Sequence, residues 1–233
     1  MSEKFWHLNW PDSTLGRADW DDDVDIESIV CPLKEGHRGG EKRITDLHIV
    51  LLSKRITDFI WVHECIIQDR VLKMFQEEGF TGFEVKPVQA RMKRKYKKAF
   101  TADANSTEYE EIEIPTLWEL IVTGWGGIAP SESGVRLTEY CPGCGVLRYE
   151  GISNPFRFID EAQWDGSDFF FVWPLRRWIL ITDRVAKFIK AHKLTGVQIE
   201  PIESIKTSGQ ISASRSSLVE ISQRIGKPLD IPE

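Results

Sequence analysis

Ile66-Ile-Gln-Asp-Arg-Val-Leu-Lys-Met-Phe-Gln-Glu-Glu-Gly-Phe-Thr-Gly-Phe-Glu-Val-Lys-Pro-Val88 returns later in the chain as Leu180-Ile-Thr-Asp-Arg-Val-Ala-Lys-Phe-Ile-Lys-Ala-His-Lys-Leu-Thr-Gly-Val-Gln-Ile-Glu-Pro-Ile202. The two copies align without a gap. Asp69-Arg70-Val71 matches Asp183-Arg184-Val185, Thr81-Gly82 matches Thr195-Gly196, and Pro87 matches Pro201. Self-similarity of this kind governs the architecture, so it is read before anything else. Each copy reads as strand, helix, turn, strand. Asp69 and Asp183 are expected as N-caps, because a short carboxylate accepts the orphan N–H groups of a first turn. Val185, Phe188, Ile189 and His192 recur at i, i+3, i+4 and i+7, which places His192 on the apolar helix face. Gly79 is suited to close the first helix in the left-handed conformation. Phe83 and Val85, like Val197 and Ile199, then alternate with polar residues as a half-buried strand does.

Working outward, the reading is an α+β protein of two related halves, each a small, mostly antiparallel sheet with a packed helix, arising by internal duplication. Residues 1–100 form the first half with a Trp-rich and acidic N-terminal segment. Residues 101–114 are a linker, 115–205 the second half, and 206–233 a polar C-terminal extension. Hydrophobic residues make up 41% of the 233, enough for a substantial core. The net charge of −6 argues against nucleic acid as a partner and is compatible with a basic protein. No apolar run approaches the ~20 residues of a membrane helix. The N-terminal stretch has no basic region leading into an apolar one, so the cytoplasm is the expected location.

Ile44 to Leu52 reads as a strand or a short helix, and Asp58-Phe-Ile-Trp-Val62 as a strand leading into the first copy. Asp21-Asp22-Asp23 reads as a solvated acidic loop. Arg91-Met-Lys-Arg-Lys-Tyr-Lys-Lys98 is a basic run with one aromatic, read first as a solvated face and second as a nucleic-acid contact. Gly124-Trp-Gly-Gly127 is a Gly-rich loop lacking the spacing of a phosphate loop.

Cys141-Pro142-Gly143-Cys144-Gly145 is the most specific short motif. Two thiolates two residues apart around a tight turn can clamp one tetrahedral ion, and a structural zinc site needs four ligands. Cys31-Pro32 stands 110 residues before Cys141-Pro142, as Asp58-Phe59 stands before Asp168-Phe169. The first half has lost its second cysteine: Lys34 occupies that place, with His37 nearby. If the two turns face each other, Cys31, His37, Cys141 and Cys144 form one site. Otherwise the knuckle holds two reduced thiols and no cofactor. Cys65 precedes an apolar run and reads as a buried small hydrophobe. None of the five His lies in HExxH or HxH spacing, and there is no GxSxG elbow. The reading is therefore non-catalytic.

With these residues quoted, the chain resembles the double-CxxCG immunity-protein family, known as a set of myxobacterial paralogues. The resemblance rests on Cys31-Pro32, Cys141-Pro-Gly-Cys-Gly145, Asp168-Phe-Phe, Ile181-Thr-Asp-Arg-Val and Leu194-Thr-Gly-Val-Gln-Ile-Glu-Pro201. It covers most of residues 25–202, and the first CxxCG is degenerate here. The resemblance implies a cognate antidote to a polymorphic bacterial toxin, binding one toxin domain tightly in the producer's cytoplasm. Trp20, Asp21, Asp22 and Asp23, together with Trp125 of the Gly-rich loop, are the expected toxin contacts. The rival expectation is a zinc-knuckle nucleic-acid-binding or regulatory module.

Overall fold

The structure is a computed structural model that describes residues 4–11, 16–35, 37–93, 109–110, 113–205, 207 and 209–229. The chain is α+β. Among the described residues, three α-helices accompany four sheets: α1 (Asp69–Glu77), α2 (Asp183–Ala191) and α3 (Arg215–Ile225).

The two repeated stretches adopt the same element order, with a strand, a nine-residue helix and a second strand in each. Their flanking strands are not neighbours. In the largest sheet, Leu117–Val122 lies between Cys65–Gln68 and Phe83–Lys93, antiparallel to both. In the second sheet, Phe5–Asn9 lies between Ile179–Thr182 and Gln198–Pro201, again antiparallel to both. The registers correspond. Trp118 stands opposite Ile67 and Pro87, and Trp6 opposite Ile181 and Pro201. Each sheet thus takes its inserted strand from the other half of the chain. The largest sheet continues through Leu47–Leu51, parallel to Phe83–Lys93, to Ala18–Trp20. The second continues through Phe169–Trp173 to a parallel strand, Gly124–Ile128.

This insertion explains the helix starts. Asp69 and Asp183 are the first helical residues rather than the caps, which are Gln68 and Thr182 without a side-chain bond. The Asp69 N–H donates to the Thr116 carbonyl and the Asp183 N–H to Lys4, each just before an inserted strand. The freed carboxylates turn to Lys73 and Lys187, at 2.7 and 2.6 Å one turn on, where a first-turn anion is also favoured by the helix dipole. Gly79 does close α1 with φ +65°. His192 sits exposed at the end of α2, not on its apolar face.

The apolar faces of α1 (Val71, Leu72, Phe75) and α2 (Val185, Ala186, Ile189) meet in one shared core with Phe59, Phe169 and Phe80. The Phe75 ring lies 5.3 Å from Phe169 and 6.1 Å from Phe188, in tilted and edge geometries favoured by aromatic pairs. The C-terminal extension also joins the core. Ile211–Ser214 pairs with Val146–Tyr149, and α3 buries Leu218 and Ile221. Ser214 caps that helix by accepting from the Ser217 N–H. Its polar composition hides an ordinary amphipathic pattern.

Two buried carboxylates tie the halves together. Asp58 Oδ2 accepts from the N–H and hydroxyl of Thr195, both at 2.8 Å, while the Phe59 N–H donates to the Thr195 carbonyl at 3.0 Å. Asp168 Oδ2 accepts from the N–H and hydroxyl of Thr81, at 3.1 and 3.3 Å, while the Phe169 N–H donates to the Thr81 carbonyl at 3.0 Å. Arg70 pairs with Asp58 and Arg184 with Asp168. The glycine after each threonine is obligatory. At Gly196, φ is +79° and a Cβ would come within 2.2 Å of the Phe59 carbonyl oxygen. The recurrent Asp-Phe, Asp-Arg and Thr-Gly pairs are parts of one reciprocal brace.

Asp58→Ala removes the acceptor of three donors in a buried place. It is expected to lower unfolding free energy by about 3 kcal/mol or more, read from urea denaturation. Arg184→Gln removes a half-exposed partner and is expected to cost about 0.5 kcal/mol. A loss at Asp58 no larger than the ~0.5 kcal/mol expected at Arg184 would show that the brace carries no special share of stability.

Candidate metal centre

The CPxCG turn is held by its own backbone. The Cys141 N–H donates to the Val146 carbonyl at 2.9 Å, and the Gly145 N–H returns to the Cys141 carbonyl at 2.7 Å. Gly145 adopts φ +72°. The knuckle therefore joins the strands Leu137–Tyr140 and Val146–Tyr149, and the Gly145 carbonyl accepts the Arg215 N–H at the start of α3. Opposite it stands a two-stranded ribbon, Ile26–Val30 with Arg38–Arg43. Cys31 directly follows the first of those strands. Its N–H donates to the His37 carbonyl at 2.9 Å, and the His37 N–H to Lys34 at 3.1 Å, so the turn presents both side chains on one side.

The two turns face each other. Cys31, His37, Cys141 and Cys144 are all buried, and one ligand atom from each lies within 4.8 Å of the others. Cys31 Sγ is 3.6 Å from Cys141 Sγ, and Cys144 Sγ is 3.7 Å from His37 Nδ1. The sulfurs are too far apart for a disulfide, whose S–S bond is ~2.05 Å, and all four cysteines of the chain are free. Val146 packs against the three sulfur-bearing residues and keeps the place apolar.

The knuckle favours a thiolate. N–H groups of Cys144 and then Gly143 turned onto the Cys141 sulfur, the former the larger influence, bring its pKa down to about 6, while burial opposes them. Burial raises the Cys144 thiol instead. One anionic sulfur beside two further thiols and an imidazole, gathered in an apolar pocket, is the donor set of a soft or borderline cation. His37 Nε2 is buried without a hydrogen-bond partner among the described residues. Cys65, by contrast, is buried far from this cluster in the shared core, where its thiol is pushed upward.

Other expected site residues fall elsewhere. Trp20 is half buried, with its Nε1–H donating to Glu64 at 2.9 Å. Asp21 is 4% exposed and is occupied by Arg91, so it is not part of a solvated loop or a contact surface. Asp22 and Asp23 are exposed, and Asp23 accepts from His48 at 2.8 Å. Trp125 is not in a loop: Gly124–Ile128 is a strand, and the Trp125 ring packs edge-on against Phe171 at 5.5 Å. Asp21 and Trp125 are thus removed from the set of partner contacts by burial. Of the basic run, 94–98 lie outside the described residues, as do 101–108 and 111–112 of the expected linker. The reciprocal Asp58 and Asp168 brace was missed in the sequence, although both residues stood beside repeated phenylalanines.

The chain matches no protein-family model, and it matches no curated protein.

The cluster is expected to hold one metal ion per chain, counted by elemental analysis of protein purified without added metal. Cys144→Ser is expected to lose the ion and to cost about 4 kcal/mol, in the range that loss of a structural metal reaches. A metal-free wild-type chain with the same stability as the variant would show that the four side chains form a dry thiol cluster.

Proposed function

We propose that the chain is an immunity protein of the double-CxxCG type: a non-catalytic antidote that binds and neutralises one cognate toxin in the cytoplasm of the cell that makes it. The observation that carries this reading is the convergence of Cys31 and His37 with Cys141 and Cys144. The resemblance rests on a pair of CxxCG motifs, and here the corresponding turns face each other although one has lost its second cysteine. His37 takes the place that the thiol vacated.

Zinc is the ion this reading assigns to the cluster. With Zn–S bonds of ~2.3 Å and Zn–N of ~2.0–2.1 Å, a tetrahedron has edges of about 3.5–3.8 Å. The 3.6 Å sulfur–sulfur and 3.7 Å sulfur–nitrogen separations fit those edges. Four protein ligands fill such a coordination sphere, which makes the ion structural rather than catalytic. It would fasten the ribbon to the knuckle sheet.

The same reading takes the two halves as copies of one ancestral unit. The equivalent registers of Trp6 and Trp118, and the equivalent braces of Asp58 and Asp168, support a common origin. The halves at 1–100 and 115–205 are then interlocked partners rather than beads on a linker.

For the toxin, the exposed contacts that remain are Asp22 and Asp23, and the fastened ribbon adds Val30 and Leu33, which are 71% and 69% exposed. The exposed carboxylates before the ribbon suit a basic toxin domain, and the apolar pair at its cysteine end offers separate anchors.

Co-expression with the toxin encoded by the adjacent gene is expected to restore growth of cells that the toxin alone arrests. The Val30→Glu, Leu33→Glu double variant is expected to bind that toxin at least tenfold more weakly in calorimetry. Absence of both rescue and binding by the wild-type chain would overturn the immunity reading.

A further inference from the structure

The turn Pro174–Trp178 stands between two hollows. One, of about 570 Å³, lies between the turn and Thr207 with the stretch 209–217; the other, of about 470 Å³, lies between the turn, the strand Leu117–Val122 and α3. Arg176 and Arg177 line both. Both are exposed, so a ligand can reach them. Neither makes a hydrogen bond or an ion pair among the described residues.

A third guanidinium, Arg224 of α3, lines the second hollow and lies 5.2 Å from the Phe171 ring. Although the residue as a whole is exposed, partial desolvation of its guanidinium, and then the charges of Arg177 and Arg224, pull Arg176 below its ordinary pKa, with Glu220 acting against them. Glu220 is the carboxylate that would most readily compensate, but its side chain is engaged by Lys42 at 3.2 Å. In a chain whose net charge is −6, this is a local excess of positive charge set in a concave place. Like charges held together in a cleft focus a positive potential. The planar donor fork of a guanidinium matches two oxygens of a carboxylate or a phosphate.

The larger hollow has the size of a small-molecule site, for which about 300–1,000 Å³ is usual. One wall is apolar, from Pro174, Leu175 and Trp178. The Trp178 ring is fixed there by stacking on His7 at 4.7 Å. The other wall is the strand Ile211–Ser214, at the edge of its sheet, with the exposed Ser212 hydroxyl. We propose that this cleft is a binding site for a small organic anion, with its oxygens on Arg176 and Arg177 and its apolar body against Trp178. The shared chemistry is an oxyanion, supplied by a phosphate or by a carboxylate group. A long nucleic acid is disfavoured because Glu119, Glu64 and Glu220 border the second hollow and interrupt the positive track. The proposal does not depend on the toxin reading.

Isothermal titration of the full chain with pyrophosphate, and separately with citrate, at low salt tests it. One-to-one binding of at least one of the two is expected. Pyrophosphate alone would assign a phosphate ligand, and citrate alone a carboxylate ligand. The Arg176→Gln, Arg177→Gln double variant, checked for folding by circular dichroism, is expected to bind at least tenfold more weakly. Lys187→Gln, on the outer face of α2, is expected to bind as the wild type does. The site is refuted if neither anion binds at millimolar concentration, if the double variant binds as well as the wild type, or if only double-stranded DNA binds.

Discussion

Two carboxylates, Asp58 and Asp168, are buried at the centre of this chain, and each takes a backbone N–H and a threonine hydroxyl from the opposite half and an arginine from its own. A buried carboxylate is tolerated only when several donors surround it, and here the donors are a backbone N–H, a threonine hydroxyl and an arginine. The constraint propagates. The threonine must sit in a tight turn, so Gly82 and Gly196 follow it with positive φ. The turn must lie at the end of a helix of fixed length, so α1 and α2 both run nine residues. The phenylalanine after each aspartate is then carried into the shared core, where Phe59 and Phe169 are fully buried. Hydrogen bonds to an ionised group contribute about 1.5–3 kcal/mol each, so the brace is large beside a domain's usual 5–15 kcal/mol of net stability.

Local features were legible in the sequence. The strand–helix–strand order of the repeated stretches and the closing role of Gly79 follow from periodicity and turn chemistry over short windows. What escaped was pairing at a distance. Asp69 and Asp183 looked like caps because carboxylates favour that position, yet Thr116 and Lys4 supply the carbonyls that meet those helix starts. A signal was present. Trp6-His7-Leu8 and Trp118-Glu119-Leu120 share a Trp-x-Leu pattern that marks the two inserted strands. It was too short to stand out until the sheets showed both tryptophans in equivalent registers. Trp125 and Asp21 failed as exposed contacts for a related reason. A glycine-rich stretch and an acidic triplet resemble loops by composition, whereas Gly126 lets a strand pass against Phe170 and Arg91 neutralises Asp21.

The candidate metal centre was legible in part, because 110 residues separate both pairs of landmarks, Cys31 from Cys141 and Asp58 from Asp168. That spacing indicated which turns correspond, but only the fold brings them face to face. The centre is well placed to matter. Among the described residues the ribbon Ile26–Val30 with Arg38–Arg43 pairs with no other strand, and two strands alone are marginal in water. Among the described residues its ion pairs to other elements include Arg43 on the buried Glu119, Lys42 on Glu220 and Lys34 on Glu139. Of these only the Arg43 pair is shielded from solvent, so an ion at the cysteine-rich end would supply the second firm attachment.

The exchanged strands also bear on how the chain comes to be assembled. Phe5–Asn9 is flanked by strands about 170 and 190 residues further along, so nothing built early can receive it. Until Ile179–Thr182 and Gln198–Pro201 exist, that hydrophobic segment has both edges open. Neither half can close its own sheet in isolation, and a fragment ending before Leu117 would leave Cys65–Gln68 and Phe83–Lys93 parted by a vacant lane. Biogenesis is thereby all-or-none: a truncated polypeptide leaves adhesive strand edges uncovered and becomes a substrate for chaperones and proteases rather than a half-working product.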